Sequence, residues 1–578
     1  MKWRGITCAL LIILAGFLSY ANSFDNSFQF DGYTLILENP AVRDVFNTAV
    51  WRDFFQSHHR ARFIGFLSLG FNYYWHQDRV FGYHVVNWLI HLVNAGLVFG
   101  MVSLIGRTPR MDQEGWARQA RLIALIAALI FVTHPLQTQA VTYIYQRLTS
   151  VAALFYLLTV NAYLKGRLAP AGAGTKYYIL AAVSAVLGMF SKETVFTLPV
   201  MIFCAERYFF PSERRKSFWT YLPLAFLLVI PLILLFDVGH VFKPRAVRAA
   251  THAVVDSRTY LLTQFNVIVT YLRLLIFPVG QSLEHDFPVS RGLFDGPTWI
   301  NLLALLGLAG LAFKMRRTQR LISFGIVWFF VALAVESSII PLRYVIAEHR
   351  LYLPLAGFSV AAAAAMVRWL PERVALSAGL SAALVLGCLT FQRNAVWQDE
   401  VTLWSDVVRQ QPQYPYGHFA LGVAYQRAGR PDDAYREYAI TLQQYDQTQK
   451  ILDIELLSEI YNNMGILDYL AGKDQPAEAH LLKALEYRPD FPKALANLGR
   501  LYYEHERYTA AERYLTAAVE KQRNFPHSYF YLGLTQQRLG NRAGARQSLQ
   551  SALSLFARQG DEKMATAAQS AITGLGEE

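Results

Sequence analysis

An all-α chain is predicted: a polytopic membrane bundle of about eleven crossings followed by a superhelix of tetratricopeptide repeats. Three observations predict it. The 578 residues are 54% hydrophobic and 17% charged, too apolar for a soluble protein of this size. The apolar residues gather into runs between short polar clusters. Beyond about Asn394 the composition turns polar and a repeat period appears.

The first run, Ile6–Tyr20, follows Lys2 and Arg4 and has the charge pattern of a signal segment, here read as an uncleaved first helix. Next come Tyr83–Leu104, Leu122–Val132, Thr149–Leu164, Tyr177–Phe190 and Val195–Cys204. Trp219–Phe236, Tyr260–Phe277, Trp299–Phe313, Leu321–Ala334, Leu353–Met366 and Val374–Leu389 complete the set. Several fall short of the roughly 20 residues of a full span and must recruit flanking aromatics or face polar cavities.

The formal charge of +12 is gathered into short connections: Arg107–Arg121, Arg214-Arg215-Lys216 and Lys314–Arg320. Basic clusters between apolar runs mark cytoplasmic loops rather than a nucleic-acid surface. With those loops inside, Tyr260–Phe277 is expected to be re-entrant or interfacial. Asp31, His134, Lys192-Glu193 and Glu348-His349-Arg350 then share the outer face, as does the tail. Cys8, Cys204 and Cys388 all lie in apolar runs, without disulfide or metal-ligand spacing.

In the tail, Gly422, Gly465, Gly499 and Gly533 each follow a Leu or Met, with Ala434, Ala477, Ala511 and Ala545 downstream. The last three glycines are spaced at the tetratricopeptide length of 34 residues. Gln443–Ile454 is the expected insertion in the longer first interval. Stacked helix pairs of this kind form a groove that commonly takes an extended polypeptide. The domains are therefore read as 1–393 and 394–578.

Chemistry is sought in the polar clusters. Asp31 sits among aromatics, where a carboxylate gains basicity. Arg147, Lys192 and Arg350 offer bidentate and point-charge partners for a phosphate, with Glu193 and His349 adjacent. Tyr83, His84, Asn87, His91 and Asn94 lie on one helix and read first as interhelical glue. No phosphate-cradling glycine loop, G-x-S-x-G elbow, H-E-x-x-H helix or CxxC pair occurs, so nucleotide hydrolysis, serine hydrolysis and zinc proteolysis lose their main support.

The order of these elements resembles a known family. It runs from the first-loop Asp through Tyr83-His84-Val85-Val86-Asn87 with His91, to His134-Pro135 and Gln146-Arg147. Ser191-Lys192-Glu193-Thr194, Glu336-Ser337-Ser338-Ile339-Ile340-Pro341 and Glu348-His349-Arg350-Leu351-Tyr352-Leu353-Pro354 follow, and then the repeats. Together these resemble the transmembrane-and-tetratricopeptide-repeat protein O-mannosyltransferases of the GT-C superfamily, as a bacterial relative.

The resemblance implies transfer of a mannose-like hexose from a polyprenyl-phosphate donor to Ser or Thr of an extracytoplasmic protein held by the repeats. It implies Asp31 as the catalytic residue, with Arg147, Lys192, Glu193, His349 and Arg350 at the donor. His84, His134 and Tyr352 are candidate supporting residues, and neither a cofactor nor a metal is expected. The expected location is a bacterial inner membrane with the repeats in the periplasm or outside. Gly32 stands where the family commonly carries a second acid, and Ala61-Arg62-Phe63 where relatives tend to have Arg-Pro. Two alternatives stay open: a lipid-linked sugar transferase acting on a glycan or lipid, and a non-catalytic scaffold of the same fold.

Overall fold

The computed structural model describes residues 5–57, 59–170, 172–211, 247–248, 254–448 and 454–577. These are almost wholly helical; the β structure among them is one two-residue antiparallel pair, Val247–Arg248 with Val254–Val255. The chain divides into two compact units, Met1–Pro412 and Gln413–Glu578. The polar helix Glu400–Gln410 belongs to the first unit. Its Asp406 pairs with Arg393 at 2.5 Å, and Gln410 and Gln411 bond the Gln281–Asp286 segment.

Among the described residues of the first unit, six helices are long and apolar enough to cross a membrane. They are Val80–Ile105, Ile144–Leu168, Ser257–Ile276, Thr298–Met315, Glu348–Trp369 and Glu372–Ala395. A seventh arises if Ala120–Thr133 and Pro135–Val141, bent by 52°, form one broken span. Gly5–Tyr20, Thr175–Met189 and Arg320–Leu333 are shorter apolar helices. The expected run Trp219–Phe236 and the Arg214-Arg215-Lys216 cluster lie outside the described residues.

Of the two expectations for Tyr260–Phe277, re-entrant or interfacial, the re-entrant one is corrected: Ser257–Ile276 is a single unbroken helix. Asp256 caps it by accepting from the Thr259 N–H at 2.7 Å, and its sequence holds neither Gly nor Pro. The break falls instead at His134-Pro135, where proline has no N–H to continue the ladder.

Ala120–Thr133 is the axis of the unit. Every residue from Leu122 to Thr133 is buried, as expected of a helix apolar on all sides. Val80–Ile105, Tyr352–Trp369, Glu372–Ala395 and Gly5–Tyr20 pack on it. Arg320–Leu333 crosses Tyr352–Trp369 at Gly325 and Gly357, where an added Cβ on either would meet the other's carbonyl oxygen at 2.4 or 2.6 Å. Trp328 seals this crossing with an indole N–H donated to Leu353 O at 2.9 Å. Close backbone approach through small residues is the usual device for joining apolar helices.

The second unit is a run of antiparallel helix pairs: Pro415–Arg427 with Pro431–Thr448, Ile454–Leu470 with Asp474–Tyr487, Pro492–Glu504 with Tyr508–Lys521, and Pro526–Arg538 with Arg542–Gln559. Glu562–Glu577 closes it. Gly465, Gly499 and Gly533 press on Leu481, Leu515 and Leu549, where a Cβ would stand 2.6–2.8 Å from the leucine Cγ. Gly422 meets Tyr438 in the same way. Ala434, Ala477, Ala511 and Ala545 are all fully buried on the facing helices.

Candidate active site

Loops separated by hundreds of residues meet at one cavity of about 260 Å³ in the first unit. Its wall includes Asp31, Gln139, Lys192, Glu336, His349 and Arg350, together with Arg62, Tyr143, Tyr145 and Gln146. Three of the four polar clusters singled out in the sequence contribute to it. The fourth, at His134, does not; Gln139, five residues further on, lines the cavity.

Asp31 is presented by a strained turn. Phe30 has φ of 47°, a left-handed conformation rarely adopted by a bulky side chain, and its ring packs edge-on against Trp404. The Asp31 backbone N–H donates to the Tyr143 hydroxyl at 3.1 Å, and that hydroxyl also hydrogen-bonds the Asp31 carboxylate. Tyr143 is itself fixed by stacking on Trp397, with ring centroids 5.5 Å apart. Burial raises the Asp31 carboxyl above its usual value, offset in part by the Tyr143 hydrogen bond and the charges of Arg343 and Arg62. A stronger base results.

Gly32 has φ of −62°, so its backbone is open to any residue. An added Cβ would touch only the Phe28 side chain, at 3.3 Å. The conformation of the turn therefore does not require glycine there.

The cations differ in their surroundings. Lys192 is neutralised: its ammonium lies 2.9 Å from Glu336 Oε1 and donates to Thr149 Oγ1 at 3.1 Å. Arg62 pairs with Glu193 at 3.5 Å and donates to the Tyr145 hydroxyl at 3.4 Å. Burial works to raise the Glu193 carboxyl, but Arg62 prevails and holds it below the ordinary range. Glu193 thus reaches the cavity only through Arg62.

Arg350 is held by uncharged oxygens: Tyr344 O at 2.6 Å, Val345 O at 3.3 Å and the Tyr260 hydroxyl at 3.4 Å. Among the described residues no carboxylate lies within ion-pairing distance of it. A guanidinium so oriented keeps its charge for a ligand. His349 beside it donates its backbone N–H to Gln139 Oε1 at 2.5 Å, and its ring lies on the cavity wall.

Four expected residues stand elsewhere. Arg147 is fully buried and spends its guanidinium on Asn87 Oδ1 (2.5 Å), Asn72 Oδ1 (2.7 Å), Tyr83 O (3.0 Å) and Ser68 O (3.1 Å). It ties helices together and does not line the cavity. His84 donates from Nε2 to Asn26 O at 2.8 Å. His134 donates from Nε2 to Leu275 O at 3.1 Å while its Nδ1 accepts from the Leu136 N–H. Tyr352 donates to His91 Nδ1 at 2.8 Å and accepts from Asn94 Nδ2 at 2.9 Å, inside the core. The histidine and asparagine stripe is glue, as its one-face spacing suggested.

Tyr143, Tyr145 and Glu336 were not picked out as site residues from the sequence. Two tyrosines directly before Gln146-Arg147 were the available signal; nothing local marked Glu336 as facing Lys192. Among the described residues no group of three or more His, Cys, Asp or Glu has metal-ligating geometry.

A helical bundle with membrane-length spans, a polar cavity among its loops and, as a separate unit, a set of repeated helix pairs define the class of protein. Its relatives sharpen the picture. Residues 471–532 match the Tetratricopeptide repeat family. The chain is 26% identical to the protein O-mannosyl-transferase F38B6.6 of Caenorhabditis elegans, covering 75% of this chain and 62% of that protein. It is 24% identical to the protein O-mannosyl-transferase Tmtc3 of Drosophila melanogaster, covering 77% of this chain and 56% of that one. For the human protein O-mannosyl-transferase TMTC3 the values are 21%, 83% and 60%. The chain is thus similar to these transferases and spans 56–62% of their lengths. A crystal structure of MamA covers 28% of this chain and 89% of its own, with 19% identity and a TM-score of 0.24.

Proposed function

We propose that this protein is a membrane glycosyltransferase that moves a hexose from a polyprenyl-phosphate donor to Ser or Thr hydroxyls of a protein acceptor. One observation carries the reading: Asp31, a carboxylate made more basic by burial, shares a cavity with Arg350, whose charge is held by neutral oxygens. Transfer of this kind needs a base for the incoming hydroxyl and a counter-charge for the departing phosphate.

In this reading Asp31 accepts the hydroxyl proton as the oxygen attacks the anomeric carbon, with inversion. The bond from that carbon to the phosphate oxygen breaks, and Arg350 stabilises the charge that remains on the phosphate. His349 lies beside the same group. The apolar helices embed the polyprenyl chain and orient the sugar, while the repeats raise the local concentration of acceptor. The names of the relatives support a protein acceptor and a mannose-like sugar. We place the cavity and the repeats on the extracytoplasmic side of a bacterial inner membrane, following the basic loops of the sequence.

The test is transfer by the purified full chain from polyprenyl-phosphate hexoses to Ser/Thr peptides, with wild type beside Asp31→Asn. A loss of 10²-fold or more in the variant is expected when the base is removed. Undiminished transfer by Asp31→Asn would remove Asp31 from the chemistry. Transfer by wild type to glycans or lipids alone would place the protein among lipid-linked sugar transferases instead.

A further inference from the structure

A hydrogen-bonded row on the cavity wall is left unused by the base and the phosphate counter-charge. The Thr149 hydroxyl donates to Gln146 Oε1 at 3.0 Å and accepts from Lys192 Nζ at 3.1 Å. Lys192 continues to Glu336 Oε1 at 2.9 Å. Gln146, Lys192 and Glu336 all line the cavity. Glu336 is fixed from behind, where its backbone carbonyl accepts from the Tyr260 hydroxyl at 2.7 Å.

Glu336 is 8% exposed, and its Oε2 has no hydrogen-bond partner. A buried carboxylate oxygen left unsatisfied is costly and calls for an explanation. An ammonium carries three donors, of which two are accounted for at Lys192. Gln146 uses its amide oxygen toward Thr149, which leaves its NH₂ group for the cavity.

The chemistry of this set selects its ligand. A phosphate offers only acceptors and would be repelled by the Glu336 carboxylate, whose charge already balances Lys192. A hydroxyl both donates and accepts. We infer that Gln146, Lys192 and Glu336 form a subsite that reads one hydroxyl of the donor hexose, separate from the phosphate-binding Arg350. The sugar O–H donates to Glu336 Oε2, and its oxygen accepts from Lys192 or the Gln146 amide. Sugars that lack this hydroxyl leave the carboxylate unsatisfied and are discriminated against.

The inference rests on the glycosyl-transfer reading, so its test separates the two. Binding to the full chain is measured with short-chain polyprenyl-phosphate mannose, glucose and galactose, the monodeoxy analogues of the best binder, and bare polyprenyl phosphate. In wild type one deoxy analogue should bind about tenfold or more weaker than its parent. In Glu336→Gln the parent should fall to the level of that analogue, while bare polyprenyl phosphate stays unchanged.

The double variant Lys192→Met/Glu336→Gln removes both buried charges at similar volume. It should bind all analogues alike, which keeps the test open if the single variant fails to fold. Equal weakening of every ligand, or none, in the folded variants overturns the subsite. If no hexosyl donor binds wild type more tightly than bare polyprenyl phosphate, the glycosyl-transfer reading falls and the subsite with it.

Discussion

Tyr143 touches Asp31 twice: its hydroxyl accepts the Asp31 backbone N–H at 3.1 Å and hydrogen-bonds the Asp31 carboxylate. The two residues are 112 positions apart. The second contact favours the ionised carboxylate and opposes the upward push of burial.

Tyr143→Phe removes that contact and so should raise the Asp31 pKa further. Because the base must be ionised to act, the acid limb of kcat/KM against pH should move to higher pH. A limb that stays in place, or moves down, shows that Tyr143 does not tune the base. Folding carries the same sign. A carboxyl whose folded pKa is raised opposes folding once ionised, so Asp31→Asn should be no less stable than wild type at neutral pH.

Gly32→Asp should fold, since the backbone there is unstrained and only the Phe28 ring needs to give by a few tenths of an ångström. A second carboxylate beside Asp31 raises the pKa of the pair by like-charge repulsion. The acid limb of the rate profile should shift upward in this variant too. A thermal melt alongside the pH profile distinguishes this from a packing defect.

Arg147 and Arg350 should behave as opposites. Arg147→Ala orphans two amide oxygens and two carbonyls in a dry core, at a cost on the order of 3 kcal/mol or more. It should show as a lowered melting temperature. Arg350→Ala should cut transfer by about 10²-fold with the protein still folded, since one counter-charge in a dry site contributes on the order of 3 kcal/mol to the transition state. Arg350→Lys should recover only part of that, because the fork geometry is lost. Wild-type transfer by Arg350→Ala would take this residue out of the donor site.

Removal of the second unit, from Gln413 onward, should impair modification of a protein acceptor far more than transfer to a short peptide. This follows if the repeats act through effective concentration. Rates with both acceptors, compared between the truncated and full chains, decide it; equal loss on both points to a structural role for the repeats.

The sequence by itself determined the class of fold. Apolar runs and the glycine–alanine period are local signals, and helices obey local rules: Gly499 and Ala511 announced a tight helix pair, and Gly499 now presses on Leu515. It also brought out Asp31, Lys192, His349 and Arg350, because charges beside apolar runs are conspicuous. Only the tertiary structure decided what each charge faces. Arg147 looked no different from Arg350 in sequence, yet it is enclosed in the core by oxygens from other segments, whereas Arg350 lies on the cavity wall. Glu336 and Tyr143 reached the cavity wall beside partners 144 and 112 positions away, Lys192 and Asp31. The re-entrant alternative for Tyr260–Phe277 fell for a similar reason, which leaves the interfacial one. Loop charges constrain the side on which a loop lies, whereas an unbroken backbone ladder decides whether a segment bends, and that ladder breaks at Pro135.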